Sequence, residues 1–281
     1  VEIAAIEVKK LRDKTGAGMM DCKRALQEAQ GDPARALKIL KELGLAAAAK
    51  RAGRATNEGR VFAAVTSAVA GCVEVSCETD FVAKNADFKA LGASLAEYIV
   101  KHKPKEINGE MTDMVAGIIG KIKENITIRR FKTIEAGACE FFTEYIHGEG
   151  KIGVIVKMVA DKQEALQNQA VKELAFNLAL HIAAFAPRFI SEDKVSPEFR
   201  KEQEEIALKQ AQQLGKPENV TRGIAQGKVK KVFAEVCLMD QGFVKDEKIS
   251  VRKVIDETGQ AAGAKLAVTD FIYFKMGEEL D

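Results

Sequence analysis

The stretch Cys77-Glu78-Thr79-Asp80-Phe81-Val82-Ala83-Lys84-Asn85 joins a strand-like run to a helical one, and this junction constrains the fold more than any other feature. Before it, Cys72-Val73-Glu74-Val75-Ser76-Cys77 reads as a strand. After it, Phe88, Leu91, Leu95 and Ile99 recur at spacings of three, four and four, which is one face of a helix. Thr79 or Asp80 can accept a hydrogen bond from the free N–H groups of the first turn, so either suits the N-cap. Phe81 then stands at the very start of the helix, cut off from the apolar stripe by polar Lys84 and Asn85. Two readings of its ring follow: an exposed wedge, or a packing anchor folded back onto the sheet.

The flanking sequence divides around this junction. Residues 1–50 read as three short helices. Ala4, Val8 and Leu11 share a face in the first, which stops at Thr15-Gly16-Ala17-Gly18. Cys22, Ala25, Leu26 and Ala29 share a face in the second, which ends at Gly31. Asp32-Pro33 opens the third, a capping carboxylate followed by a proline where no N–H is needed, and Gly44 is the expected stop. Met19 and Met20 lie at the tight turn, where at most one is expected to point inward; an outward thioether suits an adaptable protein contact. Ala46 to Gly59 reads as a helix fraying into a basic linker, with 51–59 as the boundary.

From residue 60 the pattern is α+β, in two halves at 60–140 and 141–281. Val61 to Val65 and Cys72 to Cys77 bracket a turn ending in Gly71, a hairpin signal. A helix to about His102, a second around Met111 to Ile122 and a strand from Ile126 follow. Strands at 141–146 and 152–159, joined through Gly148-Glu149-Gly150, lead into a helix over 163–184. A hairpin followed by a helix thus occurs twice, which predicts an antiparallel sheet-and-helix core with a weak internal repeat. Ser196-Pro197 and Gly215-Lys216-Pro217 delimit two mostly polar helices, a helical hairpin arm over 196–232 expected to stand off the core. The tail from Ala264 to Phe274 reads as a returning strand with a last short helix.

Composition excludes several classes. Of 281 residues, 47% are hydrophobic and 30% charged, which argues against disorder. Lys and Arg number 43 against 41 Asp and Glu, too balanced for a protein that tracks phosphates. No apolar run reaches membrane-spanning length, and Val1-Glu2-Ile3-Ala4 lacks the regions of a signal peptide, so a cytoplasmic location is expected. Cys22, Cys72, Cys77, Cys139 and Cys237 form no C-x-x-C. Cys72 and Cys77 are expected on opposite faces of one strand, roughly 16 Å apart, too far to pair. With His102, His147 and His181 the only histidines, no metal ligand set is visible, and no cofactor is expected. Gly16-Ala17-Gly18 is too short, and Lys23 wrongly spaced, for a phosphate loop. An RNA-binding reading rests on Lys50, Arg51, Arg54 and Lys228-Val229-Lys230-Lys231. An enzyme reading rests on Cys77 beside Asp80, which would need a base the sequence does not show.

Two long motifs carry a resemblance. Leu11-Arg12-Asp13-Lys14-Thr15-Gly16-Ala17-Gly18-Met19-Met20-Asp21-Cys22-Lys23 and Cys77-Glu78-Thr79-Asp80-Phe81-Val82-Ala83-Lys84 resemble the two signatures of the elongation factor Ts family. The likeness continues through Glu124-Asn125-Ile126-Thr127-Ile128-Arg129-Arg130, His147, His181-Ile182-Ala183-Ala184, Gln241-Gly242-Phe243-Val244 and Phe274-Lys275-Met276-Gly277-Glu278. It implies a guanine-nucleotide exchange factor, not an enzyme, that binds the GTPase elongation factor Tu and no nucleotide of its own. It further implies a ubiquitin-associated-like three-helix domain docking through Arg12, Met19 and Met20, with Ile122 and His147 as further contacts. Thr79, Asp80, Phe81 and Val82 are the expected agents of Mg²⁺ displacement. The arm, a coiled coil in such proteins, is a dimerisation element in some members. Three departures stand out: Lys123 where the family usually has glycine, Gly242 where proline is common, and Glu279 where glycine is usual.

Overall fold

The structure is a computed structural model that describes residues 3–280; Val1 and Glu2, part of the N-terminal signal-peptide reading, lie outside the described residues. The chain opens with α1 (Ala5–Thr15), α2 (Met19–Glu28) and α3 (Pro33–Arg51). The Asp32 carboxylate caps α3, accepting from the N–H of Ala34 at 2.8 Å. Val8, Leu11, Cys22, Ala25, Leu26, Ala29 and Ala36 form a small buried core. Ile3 rather than Ala4 packs against it, because Ala4 is the exposed N-cap of α1. Gly44 does not stop α3, which runs unbroken to Arg51 and replaces the expected fraying helix. Packing explains the glycine: a Cβ there would lie 3.0 Å from the carbonyl oxygen of Ala116. Lys41 and Asp113, 2.6 Å apart, close the side of the same contact. The third helix is therefore also the strut that ties the helical unit to the core.

The core follows as β1 (Glu58–Val65), β2 (Val69–Cys77), α4 (Asp80–Lys84), α5 (Ala86–His102), α6 (Gly109–Ile122), β3 (Ile126–Glu135), β4 (Glu140–His147), β5 (Ile152–Ala160) and α7 (Gln169–Phe185). The arm is α8 (Pro197–Gln212) and α9 (Glu218–Val236), after which come β6 (Gly242–Phe243), β7 (Asp246–Ser250), α10 (Val251–Ala262) and β8 (Leu266–Lys275). Two three-stranded antiparallel sheets, β1-β2-β3 and β4-β5-β8, face each other across Val61, Ala70, Cys72, Ile134, Ile155, Ile272 and Phe274. Helices α5 and α6 cover the outside of the first sheet; α7 and α10 cover the second. Strand β2 is buried along its whole length: Val73, Val75 and Cys77 face the helices, Ala70 and Cys72 the other sheet. Cys72 and Cys77 thus lie on opposite faces, as their odd spacing requires.

The internal repeat is closer than the sequence pattern suggests. Each half has a hairpin, one short helical turn, an asparagine cap, a 17-residue helix and later a ten-residue strand returning beside the second hairpin strand. Asn85 accepts from the N–H of Asp87 at 2.8 Å, and Asn168 from that of Ala170 at 2.9 Å. These caps correct two expectations, since the helices read as continuous from Phe81 to His102 and over 163–184 are each split in two. Both asparagines have extended backbones, so the chain leaves one turn and starts the next helix at each. Two smaller corrections concern the ends of strands. Gly71 lies within β2 rather than in the hairpin turn, and no helix follows β8 among the described residues.

At the base of the arm, fully buried His181 joins α7 to the segment after α9. The Val244 N–H donates to its Nδ1 at 3.1 Å, which leaves the proton on Nε2 to donate to Gln241 Oε1 at 2.8 Å. The Gln241 amide in turn donates to the carbonyl of Glu235 in α9. Burial holds the imidazole pKa below its ordinary value, against the opposing effect of the Gln241 hydrogen bond. A depressed folded pKa contributes stability fully above the unfolded value of about 6.5 and loses it as pH falls through the folded value. Stability should therefore decline as pH drops below about 6.5. His181→Gln should flatten that limb and leave the carboxylate limb at lower pH, which denaturant midpoints across the range will test.

Candidate functional site

Helix α4 is only five residues long, and its ends are defined by hydrogen bonds. Thr79 Oγ1 accepts from the Val82 N–H at 3.4 Å, so Thr79 rather than Asp80 is the N-cap. Asp80 occupies the first helical position and accepts from Lys84 Nζ at 2.8 Å. That hydrogen bond lowers the Asp80 pKa and raises that of Lys84. Val82 and Ala83 are buried against β2 and α5, and the helical rotation between them and Phe81 turns the ring outward. Phe81 is 80% exposed, the most exposed large apolar side chain described. The packing-anchor reading of Phe81 is excluded. Val82, expected among the contacts, is instead 8% exposed and fixes the turn from beneath.

The turn before α4 is clamped to the turn after α6. Glu124 accepts from the Thr79 hydroxyl at 2.7 Å and from the Thr79 N–H at 3.1 Å. In return Glu78 accepts from the Asn125 N–H at 2.6 Å, and the Asn125 amide donates to the carbonyl of Arg54 at 2.8 Å. Hydrogen bonds to charged groups are worth about 1.5–3 kcal/mol each, so this exchange of carboxylates holds the start of α4 firmly. Glu124-Asn125 was visible as a motif; that its partner is Thr79, 45 positions away, was not.

The other expected contact residues fall at the edges of the same region. Met19 and Met20 begin α2, and both are exposed, so neither serves as core filler. Arg12 is exposed beside Asp13, Ile122 is half-buried at the end of α6, and His147 is exposed at the end of β4. Gly16, in the turn before Met19, packs against the Lys121 side chain, and Lys121 Nζ donates to Asp87 Oδ1 at 2.6 Å. The α1–α2 turn, the end of α6 and the start of α5 therefore meet. His147 Nδ1 pairs with the Tyr145 hydroxyl at 2.9 Å, and its turn returns to β1 through a bond from the Val61 N–H to the Gly150 carbonyl at 2.7 Å.

The competing chemistries find no support in this geometry. The Cys77 thiol is pushed up to about 12, first by burial and then by the carboxylates of Glu124 and Glu58, so it is not an activated nucleophile. Among the described residues, no group of three or more His, Cys, Asp and Glu is placed to hold a metal ion, and no helix is long and apolar enough to cross a membrane. Arg51 donates to the carbonyls of Ala47 and Lys123, Arg54 pairs with Glu78, and Lys228 donates to Gln210. Three of the six basic residues of the RNA-binding reading are thus engaged internally.

A family model described as Elongation factor TS matches residues 78–278. Elongation factor Ts of Treponema denticola is 43% identical over 277 residues, covering 99% of each chain. That of Borrelia hermsii is 42% identical over 278 residues, covering 99% of this chain and all of its own. The chain belongs to the elongation factor Ts family. It is accordingly a guanine-nucleotide exchange factor of elongation factor Tu and not an enzyme. Lys123 stands where the resemblance leads to an expectation of glycine, and its backbone conformation is one that favours glycine. Lys123 ends α6 at φ 67°, in the left-handed region, donating its N–H to the Ile119 carbonyl. A side chain there costs about 1–2 kcal/mol, against about 0.5–1 kcal/mol of extra unfolded-state entropy for glycine. Lys123→Gly should therefore stabilise the protein by about 0.5–1 kcal/mol, read as a raised denaturant midpoint with exchange retained.

Proposed function

We propose that the Phe81 turn is the element that expels GDP from elongation factor Tu. The observation that carries this reading is a phenyl ring 80% exposed on a turn that hydrogen bonds hold rigidly at its start. The ring intrudes beside the Mg²⁺ and phosphate site of the GTPase. Displacing the groups that order Mg²⁺ removes charge neutralisation from the diphosphate, and GDP leaves. Asp80 flanks the ring and directs the approach; Thr79 and Val82 hold the turn from within. Reciprocity then requires GDP to weaken binding of this protein by the same factor.

Docking is the work of the three-helix unit, a domain of ubiquitin-associated type, through Arg12, Met19 and Met20. Ile122 supports that contact, and His147 serves a second one from the other half of the core. The protein works in the cytoplasm. Its arm is a short coiled coil that serves self-association, a reading supported by the half-exposed Ile206, Leu208, Leu214 and Val220 along it. Leu214→Lys with Val220→Lys should shift a dimer to monomer in sedimentation equilibrium without altering exchange. A wild-type protein that stays monomeric at high concentration would overturn the dimer.

Phe81→Ala should leave the denaturant midpoint nearly unchanged, within about 0.5 kcal/mol, because an exposed ring contributes little burial. Its lost contact with the GTPase is worth on the order of 1.5–3 kcal/mol. That corresponds to roughly ten- to a hundredfold less effective release of labelled GDP. Asp80→Ala should be milder, since its ion pair with Lys84 is solvent-exposed on both sides. Wild-type release by the Phe81 variant would defeat the wedge.

A further inference from the structure

Arg60, near the start of β1, is charged yet its side chain is only 11% exposed. Its Nε donates to the carbonyl of Ala83 in α4 at 2.5 Å. One terminal nitrogen donates to the Glu149 carbonyl, and the other to Glu149 Oε2 at 3.1 Å. Glu149 has φ 56° and lies between Gly148 at 57° and Gly150 at 95°, three successive left-handed residues directly after His147. The approach is close: a Cβ on Gly150 would lie 2.9 Å from that of Arg60. One guanidinium therefore joins the helix bearing Phe81, in the first half, to the turn following His147, in the second. Arginine suits the task because its planar fork offers several donors in fixed directions, and a cation favours the C-terminal end of a helix.

We propose that Arg60 is a positioning residue for exchange, fixing the direction of Phe81 relative to the His147 turn so that the GTPase meets both in register. The proposal rests on the reading of Phe81 given above. Arg60, 11% exposed and engaged by Ala83 and Glu149, acts through these contacts. With its guanidinium gone, the docking surfaces on α1, α2 and α6 stay intact while the ring loses its alignment. The loss should therefore appear in the maximal rate of GDP release rather than in the concentration needed to reach it.

The test is release of fluorescent GDP from elongation factor Tu as the concentration of this protein is varied. Arg60→Met should lower the saturating rate on the order of tenfold, since a misplacement of about 1 Å can cost a hundredfold. Its half-saturating concentration should stay within about twofold of wild type. Arg60→Lys, which can reach one partner but not both, should fall between. In a Phe81→Ala background, Arg60→Met should have no further effect, because the residue acts through the ring. Should Arg60→Met fail to fold by denaturant midpoint, Glu149→Ala, at an exposed side chain, tests the same link and should also lower the saturating rate. A wild-type saturating rate in the variant that folds, or a full additional loss in the Phe81→Ala background, would overturn the role of Arg60. Failure of the wild-type protein to accelerate release, or a Phe81→Ala variant as active as wild type, would instead overturn the underlying reading.

Discussion

The carboxylate of Glu74 is fully buried between the two sheets, and the geometry of the core depends on how it is satisfied. Arg130 Nε donates to it at 2.7 Å, Arg129 approaches to 3.6 Å, and the Gly277 N–H donates at 2.9 Å. The same arginines reach the end of β8 and the residues after it: Arg130 to the Lys275 carbonyl at 3.0 Å and to the Glu278 carboxylate, Arg129 to the Glu278 carbonyl. Arg130 also lies over the Phe274 ring, 4.3 Å from its centre. Desolvating a carboxylate costs several kcal/mol, and losing one partner of such a group costs about 3–5 kcal/mol. A sliding of the second half against the first would leave Glu74 paired with Arg130 but would take away the Gly277 N–H and the partners of both arginines at Lys275 and Glu278, so the cluster favours one register of the halves.

The strand that carries Glu74 leads directly to the Phe81 turn. Glu74 stands where the β2–β3 pairing shifts register, and three residues later the strand ends at Cys77. Ser76, on the same face as Glu74, donates to the Thr56 hydroxyl at 2.9 Å and pairs with that of Thr127 at 2.7 Å, bringing the segment before β1 into the lattice. Glu78 and Glu124 then take over. From the buried ion pair to the exposed ring the connection runs along β2 itself, flanked by the contacts of Ser76, Glu78 and Glu124. The expected boundary over 51–59 is accordingly no free hinge, since Arg51, Arg54 and Thr56 are all bonded to the core.

What could be read from the sequence follows the range of the interaction. Asp32-Pro33, the Gly148-Glu149-Gly150 turn and the apolar faces of α2 and α5 are local, and their positions emerge from spacing alone. Spacing alone reads Gly44 as a helix stop because glycine serves both as a stop and as a point of close approach, and only Ala116, distant in sequence, distinguishes the two. The Asn85 cap leaves no mark on the pattern because a cap inside a polar gap leaves the apolar spacing almost undisturbed. The two readings of Phe81 could not be separated because either Phe81 or Val82 satisfies the pattern as the inward residue. Arg60, Glu74 and Glu124 carried no signal of partnership at all. Their partners lie 23, 56 and 45 positions away, beyond any periodicity.

A helix of five residues has no stability of its own, because nucleation costs more than so few hydrogen bonds return. Helix α4 persists because Val82 and Ala83 are buried beneath it and because charged groups from elsewhere hold both ends, Glu124 at the Thr79 N–H and Arg60 at the Ala83 carbonyl. This arrangement separates two demands that usually conflict. The residues that stabilise the turn face inward, so Phe81 is free to face outward without cost to folding. A ligand shifts a conformational equilibrium only by its differential affinity for the two states. A yielding ring would adapt to the nucleotide-bound and nucleotide-free forms of the GTPase alike and favour neither. In the role proposed for Phe81, a ring on a helix held at both ends would meet one form as a clash and the other as a fit, and that difference is the free energy an exchange factor needs.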